Sequence, residues 1–377
     1  MAELPGIRGY DFIEFYVGSA KATAYWYVKA LGLRLAGYCG PETGVRDRAS
    51  YLLTKNRLKL LITSSLQPSA VEPLEFIARH GDGVKRWSME VEDVARAFDF
   101  AVRHGAIAAR KPQRLEDERG AVVEAALRVY DDTEVVLVNR DAYRGLFRPG
   151  FCEMPAAPRY EGDDTRLVGV DHIVGNVREN EMDRWADYYN RAFGFQTFVD
   201  FKAGDIGTKY SALLSKVVRS ETGAIKNPIN EPYAGLKKSQ IEEYLEEYRG
   251  SGVQHIAVAT EDLLAAVRAL RRNGVEFLAV PDSYYEQLRE RRPSGIAERI
   301  EDLRDLGILC DLEGQGYLLQ LFTRPVSDRP TFFFEFIQRR EGAQGFGKGN
   351  FQALFEAIEL DQARRGNLEK DRPGAPA

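Results

Sequence analysis

Two histidines and one glutamate stand at strand positions where an internal repeat of the same chain has residues that do not bind metals. The segment GVQHIAVATEDL at 252–263 repeats GVKRWSMEVEDV at 83–94, with His255 in the place of Arg86. Aligning the neighbouring strands sets His172, in GVDHIVGNV, opposite Phe12, and Glu335, in PTFFFEFIQRR, opposite Val136 of DDTEVVLVNRD. The chain has 4 histidines, and the two in its second half fall at equivalent places in successive units. Two neutral imidazoles and one carboxylate leave a divalent ion with net positive charge and, when gathered on one face, with adjacent open positions. That set suits the Fe(II) of an oxygenase, where a bidentate substrate and O2 share the open positions. Zinc on the same ligands would leave a single site suited to hydrolysis. The second half is therefore expected to bind a metal and the first to be a degenerate, structural copy.

The elements that must position these residues follow from the same repeat. GYDFIEFYVGSAKATAYWYVKALGLRL, from Gly9, and GVDHIVGNVRENEMDRWADYYNRAFGFQT, from Gly169, share one layout. Each gives a short alternating strand, a polar turn, and a helix with aromatic and apolar residues at helical spacing, closed by Gly32 or Gly194. GVQHIAVAT likewise leads into a helical EDLLAAVRALRRNG, so each half holds two strand–helix units followed by further strands, an α+β architecture. The predicted domains are 1–155, structural, and 156–366, metal-binding, joined through the Pro-rich and charged FCEMPAAPRYEGDDTR at 151–166. The last residues, 367–377, have the composition of a disordered tail. Pro112 and Arg140 are 28 residues apart while Pro281 and Arg339 are 58 apart, an insertion of 30 that includes the charged 283–305, read as a solvated helical surface.

Near the C-terminus Asn350 is placed to cap a helix whose Phe351, Leu354, Phe355 and Ile358 share one face. Behind the glycines Gly345, Gly347 and Gly349, read as flexible, that helix is expected to move as a lid that excludes water.

Composition excludes several classes of function. With 52 Lys+Arg against 57 Asp+Glu, net charge -5 and no basic stripe, nucleic acid is not an expected partner. The longest apolar runs, LKLLI and FFF, are far below the ~20 residues of a membrane-spanning helix. The N-terminus MAELPGIRGYDF has no secretory pattern, and Cys39, Cys152 and Cys310 form no pair, so a cytoplasmic location is expected with all three as packing residues. His80-Gly81-Asp82 mimics an iron-binding HxD but is read as a polar turn, and GFGKGN at 345–350 mimics a phosphate loop but lacks the GK(S/T) ending and follows no clear strand.

Several segments together carry a family resemblance: VDHIVGNV, SKVV followed by NPINEP, KSQIEEYL, GVQHIAVAT, PDSYYEQL, GYLLQLFTRPVSDRPTFFFEFIQR and GFGKGNFQALFEAIE. From about residue 9 to residue 368 the chain resembles the 4-hydroxyphenylpyruvate dioxygenase family, of the bacterial type. The resemblance implies the vicinal oxygen chelate (glyoxalase/bleomycin-resistance-like) fold, with paired βαβββ modules forming an open barrel around one Fe(II). It implies His172, His255 and Glu335 as the iron ligands and Ser211, Asn230, Gln240, Gln254, Gln320, Phe322, Phe346, Phe351 and Phe355 as pocket residues, with Phe322 and Phe351 on either side of the substrate ring. Strand alternation supports Gln320 and Phe322 on one face, but turns Gln254 away from the face of His255.

The implied reaction takes 4-hydroxyphenylpyruvate and O2 to homogentisate and CO2 in tyrosine catabolism, with no organic cofactor and no separate acid or base. The implied assembly is a homodimer or homotetramer. The nearest alternative is 4-hydroxymandelate synthase, with the same substrate and ligands but side-chain hydroxylation; the intact PINEP at 228–232 resembles the dioxygenase pattern instead. Extradiol ring cleavage would call for a further active-site histidine, and only His80 and His104 remain, both in the first half. A non-catalytic binding protein of this fold would not be expected to keep all three ligands.

Overall fold

The computed structural model describes residues 5–154, 163–202, 212–233, 235, 237–290 and 295–366. The first half runs β1 (Ile7–Tyr16), α1 (Ala20–Leu31), β2 (Arg34–Cys39), β3 (Arg48–Lys55), β4 (Leu58–Ser65), α2 (Val71–His80), β5 (Gly83–Val91), α3 (Val94–Arg103), β6 (Ile107–Asp117), β7 (Gly120–Val129) and β8 (Thr133–Asn139). The second repeats it as β9 (Leu167–Asn176), α4 (Met182–Phe193), β10 (Gln196–Phe201), β11 (Ala212–Arg219), β12 (Lys226–Tyr233), α5 (Gln240–Tyr248), β13 (Gly252–Thr260) and α6 (Leu263–Arg272). After α6 come α7 (Asp282–Glu290), α8 (Ile300–Leu306), β14 (Leu309–Glu313), β15 (Gly316–Phe322), β16 (Phe333–Arg340) and α9 (Phe351–Arg365). Each half is thus a pair of βαβββ modules.

The strands form two eight-stranded sheets in the same order, β2-β3-β4-β1-β5-β8-β7-β6 and β10-β11-β12-β9-β13-β16-β15-β14. The modules of a half meet through an antiparallel pair, β1 with β5 and β9 with β13. The repeat register holds in three dimensions: Arg86 pairs with Glu134 as His255 pairs with Phe333, which sets Val136 at the level of Glu335.

Alternation sorts each strand into an outer and an inner face. The outer faces of both sheets and the helices share one core, in which helices of one half pack against strands of the other. Tyr27 of α1 meets Phe334 edge-on at 5.7 Å, and Tyr189 of α4 stacks over Trp87 at 6.4 Å. Such pairs add about 0.5–1.5 kcal/mol each beyond area burial. Gly32 and Gly194 close α1 and α4 in left-handed conformations, φ 63° and 68°, where a side chain would be strained.

The inner faces differ. In the first half Phe12, Leu52, Leu61, Val136 and Phe147 pack together and fill the space. Arg86 instead lies in a buried network, donating to Glu134 (2.6 Å), Glu14 (2.8 Å), Tyr16 (2.6 Å) and Glu72 (2.5 Å). The inner face of the second half holds a cavity.

Three expectations need correction. His80 is not in an open turn: it ends α2 fully buried, stacked 4.1 Å from Tyr248 with Nε2 2.9 Å from Asp132, and so ties the halves together. Of the cysteines only Cys310 is buried; Cys152 is exposed, and all three are free thiols. The inserted segment is helical, but α7 and α8 bury Tyr285, Leu288, Leu303 and Leu306, so it is not solvated throughout. The segment read as a linker is anchored at both ends, by Cys152 exchanging backbone hydrogen bonds with Tyr38 and by Thr165 donating to the carbonyl of Leu31. The middle of that segment and the tail at 367–377 lie outside the described residues. Among the described residues no helix is long and apolar enough to cross a membrane.

Candidate metal centre

Three adjacent central strands bring His172, His255 and Glu335 together. Ala257 of β13 is the register partner of His172 on β9 and of Glu335 on β16, so these three lie in a row across the sheet. His255 is two residues before Ala257 on the same strand and face. The small side chain of Ala257 leaves the space between the others open. One ligand atom from each of the three lies within 4.8 Å of the others, and all three residues are buried.

The atoms converge on one oxygen. Nε2 of His172 is 3.2 Å and Nε2 of His255 3.3 Å from Oε2 of Glu335, while Oε1 of Glu335 has no hydrogen-bond partner among the described residues. The other ring nitrogens are held from behind: Nδ1 of His172 is 2.7 Å from Oδ1 of Asp171, and Nδ1 of His255 is 3.2 Å from Oε1 of Gln254. When both Nδ1 atoms donate to those oxygens, both Nε2 lone pairs face a carboxylate. Lone pairs converging in a dry site are unfavourable without a cation between them, so the donor set fits a divalent metal with nitrogen and oxygen ligands.

The metal-free electrostatics agree. Burial opposes the charge on Glu335, but His172 and then His255 hold its pKa down at about 2. Burial also works against a charged His172, yet Glu335 and Asp171 raise its pKa above the ordinary histidine value. Burial dominates at His255 and lowers its pKa despite the same carboxylate.

The register explains two placements that alternation does not. Between Val253 and His255 the β13–β9 pairing shifts, and Gln254 and His255 both line the cavity. The expectation that Gln254 faces away is therefore wrong, because a bulge locally suspends the two-residue period. A second shift skips Asp171 between Val170 and His172, which lets its carboxylate reach the ring of its own neighbour.

Asn230, Gln240, Gln320, Phe322, Phe346 and Phe355 line the same cavity. Gln240 accepts from Gln254 at 3.4 Å, and Asn230 donates to Asn176 at 3.3 Å. Phe346 meets the His172 ring edge-on at 5.1 Å. Ser211 lies outside the described residues, as does the side chain of Phe351, whose backbone begins α9.

Asn350 does not cap that helix through its side chain. It is turned inward instead, accepting from the Tyr284 hydroxyl at 2.6 Å and donating to Oε1 of Gln320 at 3.2 Å. The glycines before α9 lie close against side chains. A Cβ on Gly347, where φ is +77°, would lie 1.9 Å from Oε1 of Gln320, and one on Gly349 2.2 Å from Asp311. These glycines let backbone pass close over side chains. Gly347→Ala is accordingly expected to displace Gln320 and cut kcat/KM by about 100-fold with metal content unchanged, as steady-state kinetics and metal analysis would show.

Sequence reasoning missed Phe333, stacked on His255 at 4.7 Å, although it sits two residues before Glu335 and so shares its face. It also missed Ser215, the register partner of Asn230 and part of the cavity wall. Asp171 and Arg339 have counterparts in the first half, Asp11 and Arg140, so a comparison of the two copies does not single them out.

A two-histidine, one-carboxylate cluster inside a sheet of paired βαβββ modules defines a metal-dependent enzyme of the Glyoxalase/Bleomycin resistance protein/Dioxygenase superfamily, whose family description matches residues 9–137 and 169–302. Over nearly its whole length the chain is also similar to proteins named 4-hydroxyphenylpyruvate dioxygenase. The one from Yarrowia lipolytica is 44% identical, covering 97% of this chain and 95% of its own. That from Caenorhabditis elegans is 42% identical, covering 96% and 94%. A solved structure of a 4-Hydroxymandelate synthase mutant from Streptomyces coelicolor superposes with TM-score 0.82 at 30% identity, covering 96% of this chain and 100% of that one. The chain belongs to the 4-hydroxyphenylpyruvate dioxygenase family within that superfamily.

Proposed function

We propose that this protein converts 4-hydroxyphenylpyruvate and O2 to homogentisate and CO2 in tyrosine catabolism, using Fe(II) held by His172, His255 and Glu335. The observation that carries this reading is the convergence of those three residues inside a cavity of aromatic and amide side chains, in a chain whose near-full-length relatives bear that name. Relatives with the dioxygenase name reach 44% identity, against 30% for the mandelate synthase structure, which favours ring over side-chain hydroxylation.

When bound, Fe(II) would supply open positions for the keto acid and for O2 and a redox-active centre between them, the electrons that reduce O2 coming from the substrate itself. Residues of this chain supply recognition. Phe322, Phe333 and Phe355 give the substrate ring an apolar wall, and Phe346 closes the side next to His172. Because Asn350 donates to Oε1 of Gln320, the Gln320 amide keeps its Nε2 donors for a ligand oxygen. Asn230 and Ser215, side by side across β11 and β12, offer polar contacts farther along the cavity. Leu354 and Phe355 of α9 cover the cavity as a lid that keeps water from the reacting atoms. The first half, with its inner face filled, is the structural domain of a homodimer or homotetramer.

The metal assignment is tested by reconstituting metal-free protein anaerobically with Fe(II), Zn(II) or Mn(II) and following O2 uptake with 4-hydroxyphenylpyruvate. Uptake with Fe(II) and none with Zn(II) is expected; equal activity with Zn(II) would refute an oxygenase iron site.

A further inference from the structure

Arg339 joins two parts of the proposed centre. Its Nε and Nη2 fork onto the two oxygens of Asp171, each at 2.8 Å, and Asp171 in turn holds Nδ1 of His172. Its Nη1 donates to the carbonyl of Gly345 at 2.6 Å, just before Phe346, whose ring lies against His172. The pair is largely shielded from solvent, with side-chain exposures of 15% and 10%.

The first half contains the same device without the metal ligands. Arg140 donates from Nε to Asp11 at 2.8 Å and from Nη1 to the carbonyl of Phe147, whose ring lies edge-on 5.3 Å from Phe12. Phe147 and Phe346 each follow their arginine by 7 residues, and Phe12 holds the place of His172. The halves differ in the second partner of the aspartate. Asp11 pairs with Lys59, whereas Asp171 turns to the imidazole of His172.

We infer that the Asp171–Arg339 pair is the positioning device of the metal centre, a loop clamp common to both halves that the second half has also turned onto His172. The clamp pins the segment after the last strand, so that one arginine sets both the place of Phe346 and the orientation of the carboxylate behind His172. Through Asp171 it fixes the ring with Nε2 facing Glu335 and makes that nitrogen a better donor to a cation. Asp171 and Arg339 are positioning residues, acting through His172. The inference rests on the metal reading above but not on the identity of the substrate.

The repeat provides its own control. Asp171→Asn and Arg339→Gln are compared with Asp11→Asn and Arg140→Gln, reading the Fe(II) dissociation constant anaerobically against a colorimetric chelator, without substrate, alongside Tm. The second-half variants should weaken Fe(II) binding by about 10–100-fold. The first-half variants should lower Tm with Fe(II) affinity unchanged. Arg339→Lys, which keeps the charge but not the fork, should fall between Arg339→Gln and the parent protein, and it preserves the comparison if the glutamine variant does not fold. Parent-like affinity in Asp171→Asn and Arg339→Lys, or an equal loss in Asp11→Asn, would overturn the inference. A parent protein that binds Fe(II) but leaves 4-hydroxyphenylpyruvate untouched would defeat the proposed function and leave the clamp standing; one that binds no Fe(II) would defeat both.

Discussion

Replacing His172 or Glu335 by alanine is expected to abolish metal binding and turnover while the chain still folds. The two side chains line a cavity wall and do not fill a core gap, so their removal takes away little packing. What is lost is donor chemistry. Without Glu335, two imidazoles alone face the cavity, and without His172 the cation loses one of two nitrogens, while Asp171 keeps, among the described residues, only its bonds from Arg339. Metal content should fall well below a tenth of the parent value, since even losing an outer partner of a metal ligand costs about 10–100-fold in affinity. The metal-free variants should melt close to metal-free parent protein. Elemental analysis and thermal melts read both quantities, and full activity in either variant would exclude the residue as a ligand.

Replacing Arg86, the residue in the place of His255, should have the opposite signature: a large loss of stability and no loss of metal per folded molecule. Arg86 is the shared donor to Glu14, Glu134 and Glu72, and Arg86→Ala removes the one ion-pair partner that the buried Glu14 has among the described residues and leaves Glu134 and Glu72 only Lys85, at 3.8 and 3.7 Å. Breaking such a group from one side costs about 3–5 kcal/mol, measurable by denaturant unfolding. The pH dependence has a definite sign. Burial would push the pKa of Glu14 up, but Arg86 and Arg148 hold it below the ordinary glutamate value. Its contribution is therefore present above the unfolded pKa of about 4.3 and is lost as pH falls through the lower folded value. In Arg86→Ala the burial effect on Glu14 is less opposed, so the stability gap between parent and variant should narrow as the pH drops and Glu14 takes up a proton. A variant that folds fully but has lost its metal would contradict the structural role given to the first half.

Much of this was legible because the chain writes its plan twice. The register that sets His255 and Glu335 opposite Arg86 and Val136 is the register of the two sheets, in which Arg86 pairs with Glu14 as His255 pairs with Val174. A residue confined to one copy then shows up against the other. The same method is blind to what the copies share, so Asp171 and Arg339 drew no notice even though one orients a proposed ligand and the other holds both that carboxylate and the Gly345 carbonyl. Bulges were the second obstacle. Strand alternation assumes an unbroken period of two, and the shifts at Gln254 and Asp171 break it at the two places nearest the histidines. Asn350 was misread because a helix cap is a local pattern, whereas the partners that won its side chain, Tyr284 and Gln320, are 66 and 30 residues away. The close approach of Gly347 to Gln320 and of Gly349 to Asp311 has no local signal in the sequence, because both neighbours come from distant strands.

Identification of the product formed by Fe(II)-loaded protein from 4-hydroxyphenylpyruvate and O2, by chromatography and mass, tests the central claim most directly. Homogentisate, with one CO2 released for each O2 consumed, is the predicted result. 4-Hydroxymandelate would contradict the ring-hydroxylating assignment, and the absence of any oxidised product from iron-loaded, folded protein would contradict the assignment of this site as an oxygenase.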